Sequence, residues 1–250
     1  MRRLAGALLV VVLVLAGCGG GGDDPPELTV SAAASLKQAF TQYGREFSAA
    51  RARFSFAGSD ELAAQIEQGV KPDVYAAANT KLPQQLYEKG LVEQPTAFAG
   101  NRLVLAVPAG SGIRGLGDLA AKGVTLAVGA ADVPVGAYTR TVLDRLPAGQ
   151  RGAILANVRT EEPDVAGITG KLIQGAVDAG FLYVSDVRAT DGALEAIELP
   201  DALQPDVAYG VAVVKGARRP EEARAFIAGL LDGEGARALE RAGFEPPPAQ

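Results

Sequence analysis

Four loops in this 250-residue chain share one chemical design, a small or hydroxyl residue closing an apolar strand directly before a helix. Ala33-Ala34-Ser35-Leu36 and Gly58-Ser59-Asp60-Glu61-Leu62 are the first two, and Val133-Pro134-Val135-Gly136 and Asp164-Val165-Ala166-Gly167 the others. The first turn of a helix leaves backbone N–H groups without internal partners, and the helix dipole adds positive potential there. Ends of this kind converging on one cleft would ring an oxyanion with neutral donors. Tyr183, in Phe181-Leu182-Tyr183-Val184-Ser185-Asp186, would add a phenol. Each loop also has a purely structural reading. Ser35, Ser59 and Asp164 stand where Ser and Asp are favoured as N-caps, and Asp60 and Glu61 suit a first helical turn.

The residues that are missing narrow the chemistry further. The chain has no histidine, which removes a Ser-His-Asp triad, a Cys-His pair and a histidine-ligated zinc site. Its single cysteine, Cys18, excludes an internal disulfide. A serine nucleophile at Ser35 or Ser59 has no Lys at Ser-x-x-Lys spacing, although Lys37 follows Ser35 by two residues. No carboxylate pair stands out for hydrolysis. The pattern therefore points to binding without a cofactor rather than to an enzyme, with a tethered sensory or adhesive module as a rival of another class. Gly110-Ser111-Gly112-Ile113-Arg114-Gly115 fits a dinucleotide fingerprint, but only Leu116 to Lys122 is free to form the helix such a site needs. It reads as a surface turn before a short helix.

The elements that would position these loops alternate along the chain. Strands are expected at Leu28–Val30, Arg53–Phe56, Asp73–Ala77, Asn101–Val107, Thr125–Val128, Asn157–Thr160, Ala179–Val184 and Val207–Lys215. Helices are expected at Leu36–Arg51, Asp60–Gln68, Lys81–Lys89, Val135–Leu146, Val165–Gln174, Pro220–Leu231 and Glu234–Ala242. The first carries Leu36, Ala39, Phe40, Tyr43 and Phe47 on one face. Such alternation favours mostly parallel sheets flanked by helices. Two α/β units with two crossing strands give an α/β fold of two lobes joined by a double hinge, near Gly100–Leu103 and Val207–Gly210. Residues 27–102 and 208–250 then form lobe I, and 103–207 form lobe II.

Upstream, Met1-Arg2-Arg3, an apolar run from Leu4 to Leu15 and Leu15-Ala16-Gly17-Cys18 read as a secretory signal. Its ending resembles the lipobox of bacterial lipoproteins, which implies cleavage after residue 17 and lipidation of Cys18. An ordinary signal peptide or an N-terminal anchor helix remains the alternative. Gly19 to Pro26 reads as a flexible tether. The formal net charge of −5, with no long basic run, speaks against a nucleic-acid partner. The expected protein is a monomer outside the cytoplasmic membrane, held to it by a lipid.

Leu28-Thr29-Val30-Ser31-Ala32-Ala33-Ala34-Ser35-Leu36 resembles the opening of the molybdate-binding proteins of bacterial ABC importers. The likeness continues in order through Phe56-Ala57-Gly58-Ser59, Pro72-Asp73-Val74-Tyr75-Ala76-Ala77-Ala78-Asn79, Asn101-Arg102-Leu103-Val104, Val133-Pro134-Val135-Gly136-Ala137-Tyr138 and Gly243-Phe244. The resemblance implies a two-lobed periplasmic-binding-protein-like fold of type II. It implies that a dehydrated tetrahedral dianion, molybdate or tungstate, lies between the lobes and is passed to an ABC permease. As ligand groups it implies Ser35 and Ser59 through hydroxyl and N–H, the backbone amides of Val135 and Val165, and the phenol of Tyr183, with Tyr138 the other candidate for that phenol. No metal-cation ligand is implied. Asp60 and Glu61 depart from the family's usual smaller or neutral residues after this serine. They are expected to face solvent, since a carboxylate within reach would repel a dianion or accept the proton of hydrogenphosphate. The alternative ligands for the same fold are sulfate, thiosulfate, phosphate or a small carboxylate.

Overall fold

The computed structural model describes residues 25–248, so the signal segment, Cys18 and most of the tether lie outside the described residues. The strands are β1 (Glu27–Ala33), β2 (Arg51–Ala57), β3 (Val74–Ala77), β4 (Thr96–Asn101), β5 (Leu103–Pro108), β6 (Leu126–Gly129), β7 (Val158–Glu162), β8 (Ala179–Tyr183), β9 (Leu194–Glu198) and β10 (Val207–Val213). The helices are α1 (Lys37–Glu46), α2 (Ser59–Glu67), α3 (Lys81–Glu88), α4 (Pro134–Asp144), α5 (Ala148–Ala156), α6 (Val165–Ile173), α7 (Val184–Arg188), α8 (Pro220–Asp232) and α9 (Glu234–Arg241).

They build two five-stranded sheets of one design, ordered β2-β1-β3-β10-β4 and β7-β6-β8-β5-β9. In the first, β1 pairs in parallel with β2 and β3, while β10 runs antiparallel to both β3 and β4. In the second, β6 pairs in parallel with β7 and β8, while β5 runs antiparallel to β8 and β9. Each sheet thus has one reversed strand among strands of a common direction, so the carboxyl ends of β1, β2, β6 and β7 all feed helices. The molecule is an α/β protein of two such lobes.

The interior strands are buried on both faces, which is why β5 reads as an unbroken Leu-Val-Leu-Ala-Val run. In the first lobe α1 lays Phe40 and Tyr43 against Phe226 of α8, with ring centroids 5.6 and 4.6 Å apart. Phe47 packs on the same ring at 5.3 Å. To do so the chain leaves helical geometry at Phe47. The helix expected to reach Arg51 therefore ends at Glu46, and Arg51 begins β2.

Other expectations shift for local reasons. The single strand expected over Asn101–Val107 is two strands in different sheets: Asn101 pairs with Val207, and Leu103 pairs with Tyr183. Arg102 is the crossing point. β10 already begins at Val207, one residue ahead of the expected lobe boundary. The short α5 and α7 and the exposed edge strand β9 have no counterpart in the expected elements. The glycine-rich turn after β5 leads only to a 3-10 turn at Asp118–Ala120, too short for a dinucleotide site. Among the described residues no helix is long and apolar enough to cross a membrane.

Candidate functional site

The four loops and Tyr183 meet in one small cavity between the sheets. Its walls are Ala33, Ala34, Ser35, Ala57, Gly58, Ser59 and Ala78 from one lobe. The other lobe supplies Val133, Pro134, Val135, Pro163, Asp164, Val165 and Tyr183. None of these is cationic, and Asp164 is the one acidic member. All five residues marked from the sequence, Ser35, Ser59, Val135, Val165 and Tyr183, therefore line a single cavity. The centre of a water-sized sphere can move through about 20 Å³ of it, equivalent to a sphere of about 1.7 Å radius. That is the order of the central-atom-to-oxygen distance in a tetrahedral oxyanion, whose four oxygens are themselves water-sized.

Local geometry gives each wall its donors. Val135 is the second residue of α4 and Val165 the first of α6, so both N–H groups belong to a first turn that has no intrahelical acceptor. The turn into α4 depends on Gly136, where a Cβ would lie 1.8 Å from the Ala130 carbonyl oxygen. Asp164 is the N-cap of α6, and its Oδ1 accepts the Gly167 N–H at 3.0 Å. Its carboxylate is thereby engaged with its own helix.

Neither serine is a cap. Gly58 holds the N-cap position of α2, and Ser59 lies inside the helix with its Oγ accepting the Ala78 N–H at 3.0 Å. The buried Tyr75 phenol donates to the Ser59 carbonyl at 2.7 Å and pins the turn. Ser35 sits in a 3-10 turn at Ala34–Leu36, and its Oγ is 2.9 Å from the Tyr209 phenol across 174 residues of sequence. A hydroxyl that accepts one bond keeps its proton for another.

Tyr183 supplies the sharpest anomaly. Its side chain is 1 % exposed, yet its phenol oxygen has no hydrogen-bond partner among the described residues. Burial holds its pKa well above the ordinary tyrosine value, so the group is a neutral O–H donor. A buried donor left unmade costs about 1–3 kcal/mol. Tyr138, the other candidate phenol, is not in the cavity wall; its ring lies 6.4 Å from that of Tyr183.

Two carboxylates near the site change the expected picture. Asp60 does not simply face solvent: its Oδ1 is buried without a partner among the described residues, though the residue is not part of the cavity wall. Glu61 is exposed and bonds Gln65 at 3.2 Å. Asp186, not singled out from the sequence, accepts the Tyr183 N–H at 3.0 Å and fixes the turn into α7. Burial pushes its carboxyl up to about 7, with Asp164 adding to the rise and the Tyr183 N–H opposing it. Tyr209 and Asn101 were also missed. The one sign of them in the sequence is a polar tip within an otherwise apolar strand and at a strand end, and such tips need partners once buried. Among the described residues no group of three or more His, Cys, Asp or Glu could hold a metal cation.

Comparison with known proteins follows the same outline. The chain is 37 % identical over 227 residues to the molybdate-binding protein ModA of Mycobacterium tuberculosis, covering 88 % of this chain and 85 % of that one. It superposes on the periplasmic molybdate-binding protein of Azotobacter vinelandii with a TM-score of 0.79 at 19 % identity, covering 88 % of this chain and 99 % of that one. The sulfate-binding protein SubI of Mycobacterium tuberculosis superposes with a TM-score of 0.78 at 17 % identity over 88 % and 87 % of the two chains. The profile of the bacterial extracellular solute-binding proteins matches residues 28–245, and the chain belongs to that family.

Proposed function

We propose that this protein binds molybdate, and tungstate with it, outside the cytoplasmic membrane and delivers the anion to the permease of an ABC importer. The observation that carries the reading is the Tyr183 phenol, buried without a partner among the described residues in a cavity that draws neutral donors from both lobes. In this reading the hydroxyls of Ser35, Ser59 and Tyr183 and the amides of Val135 and Val165 surround a tetrahedral dianion. Hydrogen bonds to an ionised acceptor are roughly twice as strong as neutral ones, so no cationic side chain is required. The 37 % identity to a molybdate-binding relative over most of the chain supports molybdate in particular.

The lobes are residues 27–102 with 208–250, and 103–207, hinged where Arg102 crosses and where β10 re-enters the first sheet. A dianion held from both sides fits the closed form alone, so it shifts the hinge equilibrium toward closure. Cys18 carries the lipid and residues 18–26 the tether, leaving a monomer free to reach its permease. The protein turns nothing over.

Calorimetric titration of the purified protein with molybdate, tungstate, sulfate and phosphate tests the reading. One-to-one binding of the first two, far tighter than the others, is expected. Preference for sulfate or phosphate would retain the two-lobed receptor and replace the ligand; silence from all four would remove the oxyanion site.

A further inference from the structure

Resting on the oxyanion reading, we propose that three hydroxyls outside the cavity, those of Tyr75, Thr139 and Thr169, strengthen anion binding by capping the backbone carbonyls of Ser59, Val135 and Val165. These last three residues stand at the starts of α2, α4 and α6, and each lines the cavity. An α-helical carbonyl accepts one N–H from four residues further on, which leaves a lone pair free. Here each of the three carbonyls takes a hydroxyl proton as well. The Tyr75 phenol donates to the Ser59 carbonyl at 2.7 Å, Thr139 Oγ1 to that of Val135 at 2.7 Å, and Thr169 Oγ1 to that of Val165 at 2.8 Å. The donors arrive by different routes. Tyr75 lies on β3, whereas each threonine lies about one turn further along its own helix.

The effect on an anion follows from the partial charges. A first-turn carbonyl oxygen is the negative atom nearest the cavity end of its helix, where it offsets the positive potential of the free N–H groups. A hydroxyl proton bonded to that oxygen screens it. Side chains in a helix lean toward its N-terminus, so the O–H dipole of each threonine lies with its positive end toward the cavity. The peptide holding each carbonyl also supplies the next N–H, that of Asp60, Gly136 or Ala166, another first-turn donor. A bond accepted at one end of a peptide strengthens donation at the other. Tyr75 is fully buried, and burial holds its pKa above the ordinary value, so its oxygen keeps the proton it donates. None of the three hydroxyl residues lines the cavity, so each is a positioning residue that acts through the helix start it caps.

Thr141 provides an internal control. It makes the same bond in the same helix as Thr139, from Oγ1 to the Ala137 carbonyl at 3.1 Å, but neither Thr141 nor Ala137 lines the cavity. The bond is a common habit of helical threonine. What sets Thr139 and Thr169 apart is the residue whose carbonyl they cap.

Calorimetric titration with molybdate tests the proposal. Thr139→Val and Thr169→Val keep the branched shape and remove the hydroxyl, while each carbonyl keeps its helical N–H. Each should weaken molybdate binding by about twofold to fivefold, the range of a charge effect at a helix end, and the double variant by the product of the two losses. Tyr75→Phe should weaken it in the same range. Ligand-free Tm should hold in the threonine variants, since no buried acceptor is stranded. Thr141→Val should bind molybdate as wild type does. Thr169→Ser, which retains the hydroxyl at a half-buried position, should recover the affinity lost in Thr169→Val. Wild-type affinity in the double variant would overturn the proposal, as would an equal loss at Thr141. A loss that serine does not restore, with Tm falling alongside it, would make the threonines packing residues and sink the proposal too. Wild-type protein that binds none of molybdate, tungstate, sulfate or phosphate would instead refute the oxyanion reading itself.

Discussion

Replacing Tyr183 by Phe removes one oxygen and leaves the ring, so its consequences can be worked from the geometry. With anion in the cavity, the phenol makes a hydrogen bond to an ionised acceptor, worth about 1.5–3 kcal/mol. At about 1.4 kcal/mol per factor of ten, Tyr183→Phe should weaken molybdate binding by about 10- to 150-fold. Calorimetry reads the effect, and an unchanged affinity would refute the phenol as an anion donor.

Ser35→Ala and Ser59→Ala should each loosen molybdate by about 1–3 kcal/mol, read by calorimetry, and wild-type affinity in the double variant would remove both from the site. Each should also lower the ligand-free Tm, because Ser59→Ala strands the Ala78 N–H and Ser35→Ala strands the Tyr209 phenol. Gly58→Ala tests closure without touching a donor: the new Cβ would lie 2.8 Å from the Pro163 carbonyl oxygen of the opposite lobe. Affinity should drop by about tenfold or more because the Pro163 contact lies across the cleft, and the ligand-free Tm should fall slightly, because the same Cβ would lie 3.0 Å from Asp60 Oδ1 and Ala is a poorer N-cap than Gly. Equal affinity would show that the loops need not approach so closely. For Asp186 the folded-state pKa of about 7 lies above the ordinary 3.8, so between those values the folded chain holds a proton that the unfolded chain has lost. Stability from this group is full below the ordinary value and is lost as pH rises to about 7. Asp186→Asn should therefore gain Tm relative to wild type between about pH 5 and about pH 8, and parallel Tm curves would contradict the raised carboxyl.

Much of this arrangement is legible before folding because it rests on local rules. The 3.6-residue apolar spacing of α1 and the small-residue loops at strand ends depend on near neighbours, and both are visible in the chain. What escaped depends on distant partners or weak local signals. The exposed edge strand β9 has a single buried residue, Leu194, at its start, and so has little alternation to read. The break at Arg102 follows from two pairings, Asn101 with Val207 and Leu103 with Tyr183, each spanning a large part of the chain. Local rules also favoured capping for both serines, and tertiary structure decided otherwise. Ser59 lies one residue too deep in α2 to be its cap, and the partners of both hydroxyls come from other strands or their ends.

The electrostatics explain how an anion could be held without a cation beside it. Three helices, α2, α4 and α6, begin at the cavity wall, and each N-terminus carries roughly half an elementary charge of positive potential. Two of the carboxylates nearby are turned toward backbone donors of their own. Asp164 is engaged with the Gly167 N–H, and Asp186 turns an oxygen to the Tyr183 N–H. Positive potential spread over fixed amides has a consequence that a lysine or arginine would not share. Amides need no counter-charge when the cleft opens and are solvated by water at once, whereas a buried cation stripped of its partner is strongly destabilising. A receptor that must release its cargo gains from donors that are neutral when empty.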